Sequence, residues 1–357
     1  MATSGTVGTT VINVQQLIDH GARRCGKLAE ELTAEQQVSA RESLFFLLSR
    51  LINIGIQYWA INKKVIGLQA NKYIYDLPLG SVDVLNALYR RMNRPTPNST
   101  GGYTTSAGGV IANAFDSDVD TICTQTSANG NIAINFGTSN PIYAGSIGIL
   151  PGVSGTFNVL IEYSEDGSTW STLYDPGETV WVNNEWLWYD IDPGQNVQYY
   201  RIRETGGNTL SVREFYVGNN STEITMARLN RDDYTNLPNK NFTANQPFQF
   251  WFDRTIPQPK IYLWPVPSDP FVQMTVWYSR QIQDVGALQD ELEVPQRWYE
   301  ATVFMLAHRM ALELPGVAMD RIVYLEKMAN EYLNEAEQEE RDKSPIYWAP
   351  SIGCYTR

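Results

Sequence analysis

Histidine and cysteine are scarce in this chain of 357 residues, which has two of the first and three of the second. Cys25, Cys123 and Cys354 lie far apart with no C-x-x-C pair, so they read as free thiols and not as a disulfide framework. His308 shares a helical face with Ala301, Met305 and Leu312, which suits a core or interface histidine. His20 sits near a helix end beside Arg23 and Arg24, without an evident base partner. No H-E-x-x-H, G-x-S-x-G, Walker loop or dinucleotide fingerprint occurs. The expectation is a non-enzyme without a cofactor. Long apolar runs are also missing. The most apolar stretch, residues 44–59, is broken by Arg50, Asn53 and Gln57 and is too short to span a bilayer. The first ten residues are small and polar, with neither the charged nor the apolar region of a signal peptide.

Charge is present but unevenly shared. Residues 109–217 carry 13 acidic and three basic side chains, a net −10 out of the chain's −12. An acidic chain does not suit gripping nucleic acid through its phosphates, although DNA can pass it without sequence-specific binding. Aromatics make up 12% of the chain, with ten Trp and twenty Tyr, which favours β-rich or interface-rich structure. The acidic block shows strand alternation at residues 132–136, 157–163 and 198–203, with an Asp166-Gly167 turn between two of them. Short strands at this spacing predict a β-sandwich. Small polar runs at residues 101–109 and 218–221 read as flexible hinges on either side of it.

Outside the block the pattern changes. Apolar residues at helical spacing predict a helix over 13–31. Thr33 and Gln36 have the form of a capping box and open a second helix over 34–60, whose later half is apolar on more than one face. Tyr73 to Pro78 reads as a short strand. Residues 82–92 fit a helix or a strand, and the strand is favoured. Residues 247–254 and 260–267 form a predicted hairpin, and 271–280 a third strand, all pairing with the earlier strands in one small antiparallel sheet. Pro295 opens a helix over 296–314, and a last, increasingly acidic helix follows over 318–340.

Three groups of residues stand out as candidate sites. Trp181, Trp186 and Trp188 are either a stacking platform for a sugar ring or fibre, or alternate residues filling a sandwich core. Asp116, Asp118 and Asp120 resemble the opening of a calcium loop. Thr121 and Ser127 stand where an EF-hand needs Gly and Glu, which leaves an irregular site or a structural turn. Pro345, Ile346, Tyr347, Trp348 and Pro350 form an extended aromatic tail, either a frayed terminus or a docking strap awaiting a partner.

Two resemblances follow. Ala114-Phe115-Asp116-Ser117-Asp118, Ile147-Gly148-Ile149, Tyr163-Ser164-Glu165-Asp166-Gly167-Ser168-Thr169-Trp170 and Tyr199-Tyr200-Arg201-Ile202-Arg203 resemble discoidin-like (coagulation factor 5/8 C-type) domains, which are jelly-roll sandwiches. Tyr58-Trp59, Tyr75-Asp76-Leu77-Pro78, Leu229-Asn230-Arg231-Asp232-Asp233-Tyr234, Leu263-Trp264-Pro265-Val266-Pro267 and Glu293-Val294-Pro295 resemble, in order, the head-to-tail connector (adaptor) proteins of short-tailed bacteriophages. Together they imply a multidomain α+β chain, a helical-bundle host with a small antiparallel β-sheet, interrupted by an all-β jelly-roll sandwich. The expected divisions are a first host half at 1–100, the inserted sandwich with hinges at 101–221, a second host half at 222–343 and the tail at 344–357.

The adaptor resemblance implies a virion protein made in the bacterial cytoplasm and placed at the head–tail interface. There it forms a ring, usually of twelve subunits, with the portal protein on one face and the tail nozzle protein on the other. The lumen is a DNA exit channel, and the tail docks to the portal. The insert stands outside and can hold a tail fibre or tailspike. The alternative is a carbohydrate-binding protein acting through the sandwich, with the host as its oligomerisation stalk.

Overall fold

Asn13 starts the first helix of a computed structural model that describes residues 10–54, 58–91, 102–218 and 222–339. Its side chain accepts the Gln16 N–H at 2.8 Å while Gln16 Oε1 accepts the Asn13 N–H at 3.2 Å, so two otherwise orphaned donors are satisfied together. Helix α1 (Val14–Cys25) ends at Gly26, whose φ of 84° is open to glycine at little cost. That stop comes earlier than the predicted residue 31. The Thr33 and Gln36 capping box is present, with bonds of 2.9 and 3.3 Å, and opens α2 (Ala34–Ile54).

The chain divides into two compact units, residues 1–61 with 279–357, and residues 62–278. In the first, α1 and α2 are joined by α4 (Tyr299–Glu313) and α5 (Met319–Glu339), the short α3 (Arg231–Thr235) lying in the second unit. Pro295 precedes a 3-10 turn that runs into α4, and Pro315-Gly316 ends it. The core of this unit is continuous, from Leu17 and Ile18 on α1 through Leu44 and Leu51 on α2 to Leu306 on α4 and Leu325 on α5. Fully buried Trp298 meets Trp59 edge to face at 5.0 Å. Cys25 is a buried free thiol, bonded to the Ala307 carbonyl and pushed up to about 11 by burial.

The second unit is built from strands. Its first part holds β1 (Ile61–Gly67), β2 (Ile74–Asp76) and β3 (Ser81–Arg91). The inserted part holds β4 (Tyr103–Thr105), β5 (Cys123–Thr124), β6 (Asn131–Asn135), β7 (Ile142–Pro151), β8 (Gly155–Ser164), β9 (Ser171–Tyr174), β10 (Glu178–Trp181), β11 (Leu187–Val197), β12 (Tyr199–Glu204) and β13 (Ser211–Gly218). The return brings β14 (Glu223–Thr225), β15 (Ala227–Leu229), β16 (Thr243–Ala244), β17 (Gln249–Asp253), β18 (Lys260–Trp264), β19 (Val266–Pro267) and β20 (Val272–Arg280). The insert is a sandwich of β10-β8-β12-β6-β4, with β9 beside β8, facing β11-β7-β13-β5. Alternate residues such as Ile134, Ile147, Val159, Ile161, Tyr200 and Ile202 fill the space between the sheets.

The expectation of a helical-bundle host is overturned, because strand outweighs helix by 37% to 27%. The expected small sheet is two four-stranded sheets, β1-β20-β3-β14 and β15-β17-β18-β2. They share a core of Leu68, Leu77, Val84, Phe250, Ile261, Leu263 and Met274. The predicted hairpin of β17 and β18 is present, with Trp251 opposite Tyr262. Not every pair is antiparallel, since β15 runs parallel to β17. Three strands of these sheets escape period-2 reading for a local reason. Lys63-Lys64 interrupts β1, while β14 and β15 are three residues each; such segments become strands because neighbours pair with them, not from their own propensity.

The predicted upstream hinge is also corrected. Tyr103 to Thr105 is strand β4, paired with β6, and Tyr103 stacks on Phe115 at 4.4 Å. The rest of that hinge before Gly102, the downstream hinge at 219–221 and the tail residues Pro345, Ile346, Tyr347, Trp348 and Pro350 lie outside the described residues.

Candidate functional site

Arg90 is the one arginine of β3 that turns inward, and its side chain is only 5% exposed. A guanidinium in that position must be paired or pay heavily for lost hydration. It reaches out of its own sheet and grips the sandwich. Both of its terminal nitrogens bond the two carboxylate oxygens of Asp190 on β11, at 2.8 and 3.3 Å, and Nε bonds Glu223 on β14 at 2.6 Å. Lys63 on β1 closes on the same Asp190 at 2.7 Å. Asp190 is available for this because the β11–β7 ladder shifts register directly after it, as at a bulge. Burial pushes the Asp190 carboxyl up, but the hydrogen bonds and charges of Arg90 and Lys63 outweigh that and hold it below its usual range. Burial likewise works against the Arg90 charge, and its two carboxylates reverse the sign.

An aromatic cluster adjoins this ion-pair network. Trp186 and Trp188 stack at 4.6 Å, Tyr216 meets Trp188 at its edge at 5.3 Å, and Phe271 of the host sheet meets Trp186 at 5.7 Å. The Trp186 indole N–H donates to the Pro270 carbonyl at 3.0 Å. Gly67 of β1 comes so close that a Cβ there would sit 2.2 Å from the Trp186 Cβ. Sandwich and sheets therefore meet through an aromatic contact and a charge network. This pairing joins the modules firmly.

The candidate tryptophans lie on separate elements. Trp181 ends β10, is 1% exposed and stacks on Phe157 at 4.4 Å. Trp186 precedes β11 and is covered by Phe271. Trp188 lies over Gly148, where an added Cβ would fall 2.3 Å from its ring. Trp181 presents no open face to a ligand, whereas Trp186 and Trp188 both line a cleft. This cleft, of about 460 Å³, is also lined by Lys64, Gln69, Lys72, Glu185 and Tyr189, among others. It is bridged by Gln69 donating to the Asn184 carbonyl at 2.6 Å and by the Lys72–Glu185 pair at 3.5 Å.

The three aspartates fold back on their own turn. Asp116 accepts the Asp118 N–H at 2.9 Å and the Thr121 hydroxyl at 2.9 Å, and Asp118 accepts the Asp120 N–H at 3.0 Å. Among the described residues no group of three His, Cys, Asp or Glu side chains is placed to hold a metal. His20 is exposed, and His308 is half-buried in a groove lined by Leu47, Arg50, Met305 and Asn330. No described helix is long and apolar enough to cross a membrane.

Within Leu229-Asn230-Arg231-Asp232-Asp233-Tyr234, Asn230 caps α3 by accepting the Asp233 N–H at 2.7 Å. Tyr234 then stacks on Trp251 at 5.0 Å. This motif pins α3 onto the β17–β18 hairpin, beside a cleft of about 420 Å³ that Leu229, Asn230, Arg231 and Asp233 line with Trp251.

With these placements known, the comparisons can be read. Residues 184–350 match the family model described as SU10 adaptor protein. The match runs from the sandwich's Asn184, through the second-half strands, to the helices α4 and α5. That stretch, less than half of the chain, is similar to the SU10 adaptor protein. No curated protein matches the chain.

Solved structures with similarity include a pectin-binding carbohydrate-binding module (21% identity, 32% of this chain and 87% of that one, TM-score 0.28). A second is the family 32 carbohydrate-binding module of AlyQ, in complex with 4,5-unsaturated mannuronic acid (17%, 35% and 98%, TM-score 0.31). A third is the family 32 module of NanJ from C. perfringens in complex with galactose (18%, 32% and 90%, TM-score 0.27). Likeness of this size says nothing of ligand, and the sandwich rests on its own two sheets.

Arg90, Lys63 and Asp190 were not legible as a site. The only sign in the sequence was a basic pair, Arg90-Arg91, closing an apolar strand, and its partner lies a hundred residues away.

Proposed function

We propose that this chain is a head-to-tail adaptor of a bacteriophage virion. It forms a ring, usually of twelve copies in such proteins, between the portal protein and the tail nozzle protein. The carrying observation is the SU10 adaptor match over residues 184–350, which runs through the second half of the host in the order of the connector motifs. In this reading the ring surrounds the DNA exit channel and the protein has a structural, non-catalytic role. Residues 345–350 act as the portal-docking strap. The near-neutral host lets DNA pass without holding it, and the acidic sandwich stands on the outside, where it supports a tail fibre or tailspike.

The firm seam at Arg90 favours a mechanical part over a tethered ligand catcher, since a load on the sandwich passes directly into the host sheets. Trp181 offers a sugar no open face, and Trp186 is tied to the host sheets by Phe271 and the Pro270 carbonyl, which suits a seam between modules.

Electron microscopy of intact particles tests it. The expected result is a ring of this chain directly below the portal, with density for the sandwich on its periphery. A chain found only as a monomer in particles, or away from the head–tail junction, would sink the proposal.

A further inference from the structure

Basic side chains collect at one place in the helical unit. A groove of about 80 Å³ opens where α2, α4 and α5 meet, and Arg50 of α2 lines it together with His308 and Arg309 of α4. Among the described residues no acidic side chain lines it. Arg309 donates to the Ser43 carbonyl at 3.0 Å, a neutral acceptor. The carboxylate one turn beyond it, Glu313, is taken by the Ser39 and Ser43 hydroxyls. Neither arginine makes a salt bridge among the described residues.

Like charges that share a half-buried groove repel each other, and burial leaves less solvent to screen them. Burial and the charge of Arg50 together hold the Arg309 guanidinium below its usual value, and Glu313 offsets only part of this. Helix packing does not call for such a cluster, since α2 and α4 are already joined through Leu44, Leu47, Leu51 and Leu306. Crowded basic groups in a cleft mark a place where an anion belongs.

The rest of the lining says which anion. Leu47, Leu51, Met305 and Leu333 make the apolar side of the groove. Phosphate is strongly hydrated all round and has nothing to lay against leucine. A carboxylate on a short aliphatic stem suits both sides. Guanidinium forks receive its two oxygens, while the stem covers the apolar side chains. A groove of this size takes a few heavy atoms and no more.

We infer that the groove between α2, α4 and α5 is a carboxylate-binding site, with Arg50 and Arg309 for the oxygens and the leucines for the stem. Its ligand is a short aliphatic carboxylate, either a free acid or the Glu side chain of a peptide. The site is independent of whether the chain forms a ring.

Calorimetric titration of the full chain at fixed ionic strength tests it, with butyrate, acetylglutamate amide, inorganic phosphate and chloride as probes. A single saturable site is expected for butyrate or acetylglutamate amide, and the tighter of the two identifies the source. Phosphate and chloride should bind about tenfold more weakly, because they leave the apolar side uncovered. Arg50→Gln should weaken binding by about tenfold, the loss of one charge-assisted hydrogen bond. Arg50→Glu sets a carboxylate of the chain itself beside Arg309. It should abolish binding and raise the helical unit's thermal midpoint, with Arg50→Gln raising it less. Arg50 is exposed and outside the helical core, so neither change disturbs packing. Phosphate binding as tightly as butyrate overturns the choice of a carboxylate. Butyrate affinity unchanged by Arg50→Gln, or no saturable binding of any probe, overturns the site itself.

Discussion

The sandwich and the helical unit deal with surplus apolar surface in opposite ways. The sandwich has more aromatic side chains than its own core holds, and it lays Trp186 against Phe271 of the host part of the same chain, with Trp188 stacked on Trp186. The helical unit also has more apolar residues than its core holds, but Phe45, Phe46, Val323 and Tyr324 remain bare. The difference separates a part whose apolar surplus fixes its position within the chain from a part whose surplus stays exposed.

The largest expected effects come from breaking each core by itself. Trp181→Ala in the sandwich and Trp298→Ala in the helical unit each remove a nearly fully buried indole, at a cost of about 4 kcal/mol. Chemical denaturation followed by hydrogen exchange should show Trp181→Ala lowering protection in the insert while α1 and α4 keep theirs, and Trp298→Ala doing the reverse. Loss of protection throughout the chain from either substitution would show that the two cores act as one.

Arg90→Ala attacks the tie between sandwich and sheets. It leaves Asp190 with Lys63 alone and takes the arginine from Glu223, the two carboxylates being 26% and 36% exposed. Breaking a buried pair costs 3–5 kcal/mol, and partial exposure places this one at the low end, about 3 kcal/mol. Acid should act on the same tie. The folded Asp190 carboxyl lies below its ordinary value, so its contribution is fully present above about pH 4, the unfolded value, and is lost as pH falls through the lower folded one. Limited proteolysis at the ends of the insert should therefore accelerate in the Arg90→Ala protein at neutral pH, and in the unsubstituted protein only in acid. Equal cleavage of the two at neutral pH would mean the aromatic contact suffices without the charges.

A smaller effect is expected at Gly148, where β7 passes beneath Trp188. An added Cβ would lie 2.3 Å from the ring, and overpacking of this kind costs about 2 kcal/mol. Gly148→Ala should shift the Trp188 fluorescence and lower the sandwich's midpoint while leaving the helical unit's midpoint in place. An unchanged midpoint in the sandwich would mean that the indole moves aside freely, and so does not help to hold the seam.

How much of this was legible follows from how local each signal is. The capping box at Thr33, the Asp166-Gly167 turn and the alternation of β8 and β12 depend on neighbours a few residues away, and all could be read. The two-sided apolar character of α2 was also visible, because Phe45 and Phe46 follow Leu44 directly. Strand β1 was missed since Lys63-Lys64 breaks its alternation, and β14 and β15 were missed because three residues hold no pattern. Those segments are strands only because β20, β3 and β17 lie beside them. The seam was missed for the same reason on a larger scale. Arg90 and Asp190 are a hundred residues apart, and nothing in either neighbourhood announces the other.

The smallest predicted effect returns to the helical side of the comparison. Thr33 accepts the Gln36 N–H at 3.3 Å while Gln36 Oε1 accepts the Thr33 N–H at 2.9 Å, so the start of α2 depends on a short reciprocal pair in an exposed position. Thr33→Ala removes the hydroxyl acceptor and should cost about 1 kcal/mol, whereas Thr33→Ser keeps an equivalent oxygen and should cost much less. Because α2 carries both the buried Leu44 and the bare Phe46, fraying its first turn should lower helical-unit stability. Hydrogen exchange should show the loss confined to the first turn of α2, with the sandwich unchanged, since Phe46 already lies more than two turns further along. Protection lost along the whole of α2 would mean that the cap, and not the buried Leu44 face, holds the helix.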